Sequence, residues 1–527
     1  MPIFLYQLGN FRSTQHQVRT LRDIRDNGSS NSMRIQLVEF ADMSIPKWQD
    51  FLQSDSRVWS SIEVDRCGGH VDVFLNSILS KVRRLELRRC LRTDAAFYSL
   101  GIGLKFNKTL IGLDLGRTAF TISQAKVFAD GLCFTRVLRT LTLKQCTFDQ
   151  PQAVTALGIG LRENKSLYAL SIIGCLFPES GLEELLSHVA KHPHLQVLHA
   201  TPDQHGSIGI HAISNWLDQE QSKAKVLVLR RRFVNPSKSD NLLRKNPEFV
   251  QALIRNRTLQ KLGFGCNIIS SEDMQCLRLI LEKNTTLQSI KLDSNTIDDL
   301  SPLTYVLSHD NNTLVDLDLA NNRLDDRAVM DLAQHLPNMK GLNRLVLKGN
   351  PFGEHAAKAL VRALESNMYL ECLELPQSHS NLEANIQHLV SLNRGGRRLL
   401  HEQHRIHLAL WPLLLERAYK LSYYNASDKW MEPQNTTLSG HVVYSLLRVG
   451  PVLFEKKGST QTTLSSQLAT TVVSPLSENL PVDASQYPQQ SSSQMTRKRI
   501  LTVESDEEII PIRSSKQLRI VSLLLDG

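Results

Sequence analysis

Apolar and polar positions along this chain recur in one frame. Leu314-Val-Asp-Leu317-Asp-Leu319-Ala-Asn-Asn322 puts aliphatic side chains at positions one, four and six and an Asn at position nine. The same frame starts at Leu259, Leu287 and Leu342, and the steps between successive starts are 28, 27 and 28 residues. A further step of 28 reaches Leu370, Leu373 and Leu375. Upstream, the frames at Trp59, Val82, Leu138 and Leu167 end on Cys67, Cys90, Cys146 and Cys175, and the frame at Leu110 ends on Thr118. Weaker copies begin at Leu195 and Ala224, making twelve frames between Trp59 and Leu375.

Each frame changes period along its length. The alternating positions four and six suit a short strand with one buried face. The stretch after the strand has helical spacing, as in Asp326–Leu336, where Ala328, Val329, Leu332 and Leu336 share a side, and in His355–Leu364. The ninth residue stands where the chain leaves the strand. Asn there can bond otherwise unpaired backbone groups, and Cys fills the slot as a small buried donor. Units of strand plus helix bury their apolar faces only against one another, so a continuous stack is expected.

These frames, with the phrase Gly160-Leu-Arg-Glu-Asn164-Lys-Ser-Leu167, resemble the ribonuclease-inhibitor-like class of leucine-rich repeats. The resemblance covers about residues 55–380 and implies an α/β solenoid: a horseshoe with a parallel concave sheet and helices outside. The expected organisation is an N-terminal cap over 1–56, the repeats over 57–380, a helical C-terminal cap over 381–456 and a disordered tail over 457–527. The phrases LNRGGRRLL, LWPLLLERA and SLLRVGP within the C-terminal cap resemble a segment of uncharacterised algal leucine-rich-repeat proteins, a resemblance that implies no particular activity. From Lys457 the composition turns to Ser, Thr, Gln and Pro, the signature of a linker without a core.

Composition then narrows the classes. The 527 residues are 41% hydrophobic and 21% charged, with a net charge of +9, too modest for this length to imply nucleic acid. Apolar runs are short, so neither a membrane span nor a secretory leader is expected, and the expected location is inside a cell, in the cytoplasm or, through Arg497-Lys-Arg499, the nucleus. The eight cysteines form no CxxC pair and fall on repeat positions, which points to free buried thiols in a reducing compartment. Five Asn-x-Ser/Thr triplets, at Asn107, Asn164, Asn256, Asn284 and Asn311, occupy one helix-to-strand junction of the repeat and are read as structural.

No motif for catalysis stands out. There is no phosphate-binding loop, nucleophile elbow or HExxH, and His401, His404 and His407 lack a ligand set, so no enzyme activity, metal or cofactor is expected. Gly101-Ile-Gly-Leu and Gly158-Ile-Gly-Leu are equivalent points of two repeats, where a helix is expected to end. Ran GTPase-activating proteins use the same repeat class with an arginine in play. Arg84, Arg88 and Arg117 near the N-terminal concave edge match no motif of that family, and its long acidic stretch is missing.

The expected function is a non-catalytic scaffold or adaptor that binds a protein partner on the concave face. The alternative is a regulator of an enzyme, as GTPase activator or inhibitor. Positions three, five and seven of each frame point to the concave side, where Ile173, Val197, Val226 and Val228 make an apolar centre, unless a one-residue slip in the weak frames turns the valines inward. The step from Ala224 to Leu259 is 35 residues, and the added length, which includes Arg230, Arg231 and Arg232, suits an acidic peptide or phosphate. In the tail, Ile509, Ile510 and Ile512 after an acidic run resemble a SUMO-interacting motif, which adds as a strand to a partner's sheet, and Ser505 before three carboxylates suits an acidophilic kinase.

Overall fold

A computed structural model describes residues 5–8, 34–40, 58–67, 71–231, 241–266, 268–395 and 397, the first two segments and 65–67 by backbone alone. Its strands are β1 (Leu5–Leu8), β2 (Arg34–Phe40), β3 (Ser61–Cys67), β4 (Arg84–Arg88), β5 (Gly112–Gly116), β6 (Ala119–Phe120), β7 (Thr140–Lys144), β8 (Thr147–Phe148), β9 (Ala169–Ile173), β10 (Val197–Ala200), β11 (Val226–Arg230), β12 (Lys261–Gly265), β13 (Ser289–Lys291), β14 (Asp316–Asp318), β15 (Arg344–Val346) and β16 (Cys372–Glu374). All but β6 and β8 join one parallel sheet in chain order. Every one of the twelve frames supplies a strand of it. Helices such as Asp94–Phe106, Ile122–Phe134 and Pro151–Glu163 return the chain between strands. Strands sit about 4.8 Å apart and packed helices about 8–10 Å apart, so the stack must curve with the sheet on its inner side.

The sheet begins before the first frame. β2 pairs with β3 so that Ile35 lies opposite Ile62 and Leu37 opposite Val64, and β1 pairs with β2. Residues 1–56 therefore contribute two strands, where an end piece without repeat pattern was expected. At the other end, the helix Glu383–Arg394 buries Ile386 and Val390 against the last repeat. The remainder of 381–456, the algal-like phrases after Arg397, the three spaced histidines and the whole tail lie outside the described residues.

Two side-chain ladders hold the corners of the stack. At the strand end, the Cys90, Cys146 and Cys175 thiols donate to the carbonyls of Val64, Leu115 and Leu143 in the preceding repeats, at 3.3–3.4 Å. Asn322 and Asn350 do the same with amide groups, to Leu292 and Leu319, both at 2.9 Å. The residue just before the ladder position adopts a left-handed conformation in most repeats, as at Arg117 (φ 53°), Gln145 (φ 57°) and Gly349 (φ 68°). At the helix-to-strand corner, Asn164 donates to Leu132 O at 2.5 Å and accepts from the backbone of Ser166 and Leu167 at 2.8 and 2.7 Å. Asn256, Asn284, Asn311 and Asn367 repeat this arrangement. The triplets are thus turns in which Asn caps the residue two positions on. Ser166 and Thr286 further donate to Leu138 O and Leu259 O of the previous repeat. Asn164 is 1% exposed, which leaves no room for a glycan.

Within the repeats, Phe120, Phe148 and Phe177 stack with ring centroids 4.8 and 5.2 Å apart, and Phe97 meets Phe120 edge-on. Gly101 and Gly158 lie inside their helices, which run on to Phe106 and Glu163, so the expectation that helices end there is corrected. Their role is packing. A Cβ on Gly131 would stand 2.6 Å from Gly101 O, and one on Gly160 would stand 2.7 Å from the Ala129 Cα. Three successive helices touch backbone to backbone at these points.

Two outcomes are expected. Gly131→Ala should lower the urea midpoint, with a loss of about 1–3 kcal/mol from overpacking that exceeds the roughly 1 kcal/mol alanine gains in helix propensity; a raised midpoint would contradict the close packing. The second concerns His192, which stands at the helix-to-strand corner where other repeats have Asn. Its Nδ1 accepts from the His194 N–H at 3.0 Å, and its Nε2 finds no partner. Burial, with His194 adding to it, pushes its pKa from the ordinary 6.5 down to about 4. The unfolded chain therefore takes up a proton before the folded chain does, and stability held above pH 6.5 is lost as the pH falls towards 4. Between pH 7 and pH 5 the loss should be about 2 kcal/mol. Urea titrations of the native chain and His192→Asn at both pH values should show the native chain alone carrying this component; equal pH dependence would refute it.

Candidate functional site

The concave face is built by the outward residues of each strand, and its register is set by the pairing. Leu198, Ala200, Leu227 and Leu229 are buried under the helices. Val197, Val226 and Val228 therefore point the other way, and each is half-buried. The slip that would have turned them inward does not occur. Val197 lies opposite Val226, and Val228 opposite His199 on one side and Gly263 on the other. Ile173 ends β9, opposite Lys144, and is likewise half-buried. The four aliphatic residues singled out from the frames share three adjacent strands of one surface.

Glycines shape the ground around them. A Cβ on Gly263 would meet the Val228 methyl groups at 3.2 and 3.3 Å, so the valine leans into the gap beside it. The Arg230 side chain lies over Gly265 and reaches Asp293, pairing with its carboxylate at 2.5 and 3.3 Å. Arg230 is thus the last residue of a strand and part of the face, rather than of the inserted loop. The Arg231 amide donates to Gly265 O, which holds it at the strand end too. Arg232 falls outside the described residues, as does most of the insertion, whose far end is the short helix Leu242–Lys245.

Charges flank the aliphatic centre. Towards the N-terminus, Arg88 bridges Glu63 at 3.1 Å and Glu86 at 2.6 Å. Arg117 donates to Gln145 at 2.7 Å along the rim, and Arg84 is exposed beside Gly112. The three arginines therefore do not converge. Towards the C-terminus, Arg344 pairs with Asp316 at 3.0 Å and Glu374 at 2.8 Å, and Lys348 also contacts Glu374. Burial pushes the Glu374 carboxyl up, but Lys348 and Arg344 outweigh it and hold it below the usual range. Burial raises the Asp318 carboxyl, and Asp293 adds to this. In the centre, burial lowers the His199 pKa, and its Nδ1 stands 3.4 Å from Ser171 Oγ. Burial thus favours the uncharged His199 imidazole.

Among the described residues no group of three or more His, Cys, Asp or Glu can hold a metal ion. The seven cysteines whose side chains are described carry free thiols. The strand-end thiols of Cys146 and Cys175 are buried in the stack. No described helix is long and apolar enough to cross a membrane.

No model of a known protein family matches the chain. It is similar to the mouse NACHT, LRR and PYD domains-containing protein 14, 24% identical over 387 residues, covering 60% of this chain and 38% of that protein. It is also similar to the mouse NACHT, LRR and PYD domains-containing protein 12, 27% identical over 290 residues, covering 54% of this chain and 27% of that protein. The chain thus spans well under half the length of these curated relatives. Among solved structures, an internalin from Listeria monocytogenes aligns at 19% identity with a TM-score of 0.33, covering 62% of this chain and 83% of the internalin. Twelve strand-and-helix units in one register, with ladders of Asn and Cys at their corners, make this chain a leucine-rich-repeat protein.

Proposed function

We propose that the chain is a non-catalytic scaffold that binds a protein partner on its concave face, at a centre formed by Ile173, Val197, Val226 and Val228. The observation that carries this reading is the outward register of those four side chains. Aliphatic groups half-exposed together on a sheet gain about 25 cal/mol for each Å² that a partner covers. Ion pairs on both sides of the centre give such a surface a polar rim, the usual anatomy of a recognition patch. Arg230, held by Asp293 at the edge of the patch, orients a cation towards the partner. Arg231 and Arg232 follow it in the sequence and add to the basic character of this stretch. The tail residues Ile509, Ile510 and Ile512, with Ser505 as a phosphorylation site, serve as a second, peptide-like element suited to a sheet edge such as that of a SUMO-like protein. Free thiols at the ladder positions fit work in a reducing compartment, the cytoplasm or nucleus.

The test compares two full-length baits, the native chain and Val197→Arg with Val228→Arg, after circular dichroism shows equal folding. Both substitutions place a long cation on the outward side and leave the core untouched. A partner retained by the native bait should be reduced at least tenfold on the variant. Identical partner sets from the two baits would show that the concave patch is not the working surface.

A further inference from the structure

Six neighbouring strands, β7 and β9 through β13, carry cations and no carboxylate among their outward residues: Lys144, Arg230, Lys261 and Lys291. Asp293, just beyond β13, is taken up by Arg230. The three lysines are exposed, and Lys144 and Lys261 have no carboxylate opposite them, whereas Lys291 stands opposite Asp318 of β14 and acts to lower its pKa. The cations are distributed unevenly about the valines. Lys261 lies opposite Val226, Lys291 opposite Gly263 one strand beyond Val228, and only Lys144 stands on the other side. A ligand that complements this surface is aliphatic over β9–β11 and anionic beyond them, chiefly at Lys261 of β12.

The chain contains such a segment. Glu504-Ser-Asp-Glu-Glu-Ile-Ile-Pro-Ile512 has its carboxylates at one end and its isoleucines at the other. Extended, it measures about 26 Å, and the six strands span about 24 Å. Just over a hundred residues separate it from residue 397. A polar linker as long as 457–503 would span about 35–40 Å as a random coil, more than the distance of about 24 Å along the sheet from β16 back to β11. We propose that the concave patch is a docking site for Glu504–Ile512 of the same chain, with the isoleucines on Val197, Val226 and Val228 and the carboxylates facing Lys261 and Lys291. Tethering places the segment at an effective concentration of about a millimolar, so a partner must displace it to bind. Phosphorylation of Ser505 adds about two negative charges facing the lysines and tightens the closed form. This rests on the concave face being the binding surface.

The experiment uses full-length chains and a fluorescent synthetic peptide spanning residues 502–514, read by anisotropy. In a chain carrying Ile509→Ser, Ile510→Ser and Ile512→Ser, the patch is vacant and the peptide should bind. The native chain should bind it at least tenfold more weakly, because its own tail competes. Adding Val197→Arg and Val228→Arg to the tail variant should abolish binding. Adding Lys261→Glu and Lys291→Glu instead should weaken it about tenfold, and a peptide with Glu507→Lys and Glu508→Lys should restore it, which a misfolded protein would not allow. A peptide phosphorylated at Ser505 should bind several-fold more tightly. No binding to the tail variant, equal binding to native and tail variant, or indifference to the valine substitutions would each overturn the inference. So would a native dimer in sedimentation that the tail variant abolishes, since the tail would then occupy a second copy. If the peptide fails to bind while the valine variant still loses its partner, the docking inference alone has failed. If the peptide behaves as expected while no partner is lost, the partner reading has failed.

Discussion

Each repeat turns its backbone through two corners, and at each corner amides and carbonyls are buried beyond the reach of strand or helix pairing. An unpaired group of this kind costs about 1–3 kcal/mol. The rest of the molecule depends on how those groups are bonded. At the strand end, a Cys thiol or Asn amide donates to a carbonyl of the preceding repeat. At the helix end, an Asn donates backward and accepts forward. Nearly every corner is therefore completed by its neighbour, and repeats are stable only as a stack. Asn393 carries the same logic past the last strand. Its amide donates to Asn367 O and Leu370 O, so the capping helix closes the ladder as well as the core.

The same constraint frees the inner face. Because the corners and the core are satisfied from within, outward residues on the strands carry no structural duty and are open to recognition. Three features organise them: glycines at Gly116, Gly263 and Gly265 let Arg88, Val228 and Arg230 lie along the sheet, ion pairs gather near both ends, and the aliphatic centre has cations beside it. The 4.8 Å strand repeat makes the spacing of these charges regular.

Much of this was legible in the residues. The frame LxxLxLxx[NC] placed twelve strands and the outward residues on them, because alternation on a half-buried strand leaves little choice of face. The weak frames at Leu195 and Ala224 held, since Leu198 and Leu227 still supply the inward residue. Other features were not legible. Ile35 and Leu37 repeat the strand pattern 27 residues before Ile62 and Val64, but without a leading Leu or a closing Asn or Cys they did not declare a repeat. The Gly-Ile-Gly phrases read as helix ends because glycine is costly within a helix, and only the close neighbours explain them: the backbones of Val127 at Gly101 and Ala129 at Gly160, and the side chains of Leu79 at Gly103 and His188 at Gly158.

By itself the sequence determined the unit, its period, its strands and which way their side chains face, because these follow from local alternation and from the need to bury one face. Tertiary structure alone decided which residues meet across repeats: the stacked Phe120, Phe148 and Phe177, and the Arg230–Asp293 pair. Such contacts join residues about one or two periods apart, and their partners depend on how closely neighbouring strands and helices approach. That distance is a property of the stack, and no single repeat encodes it.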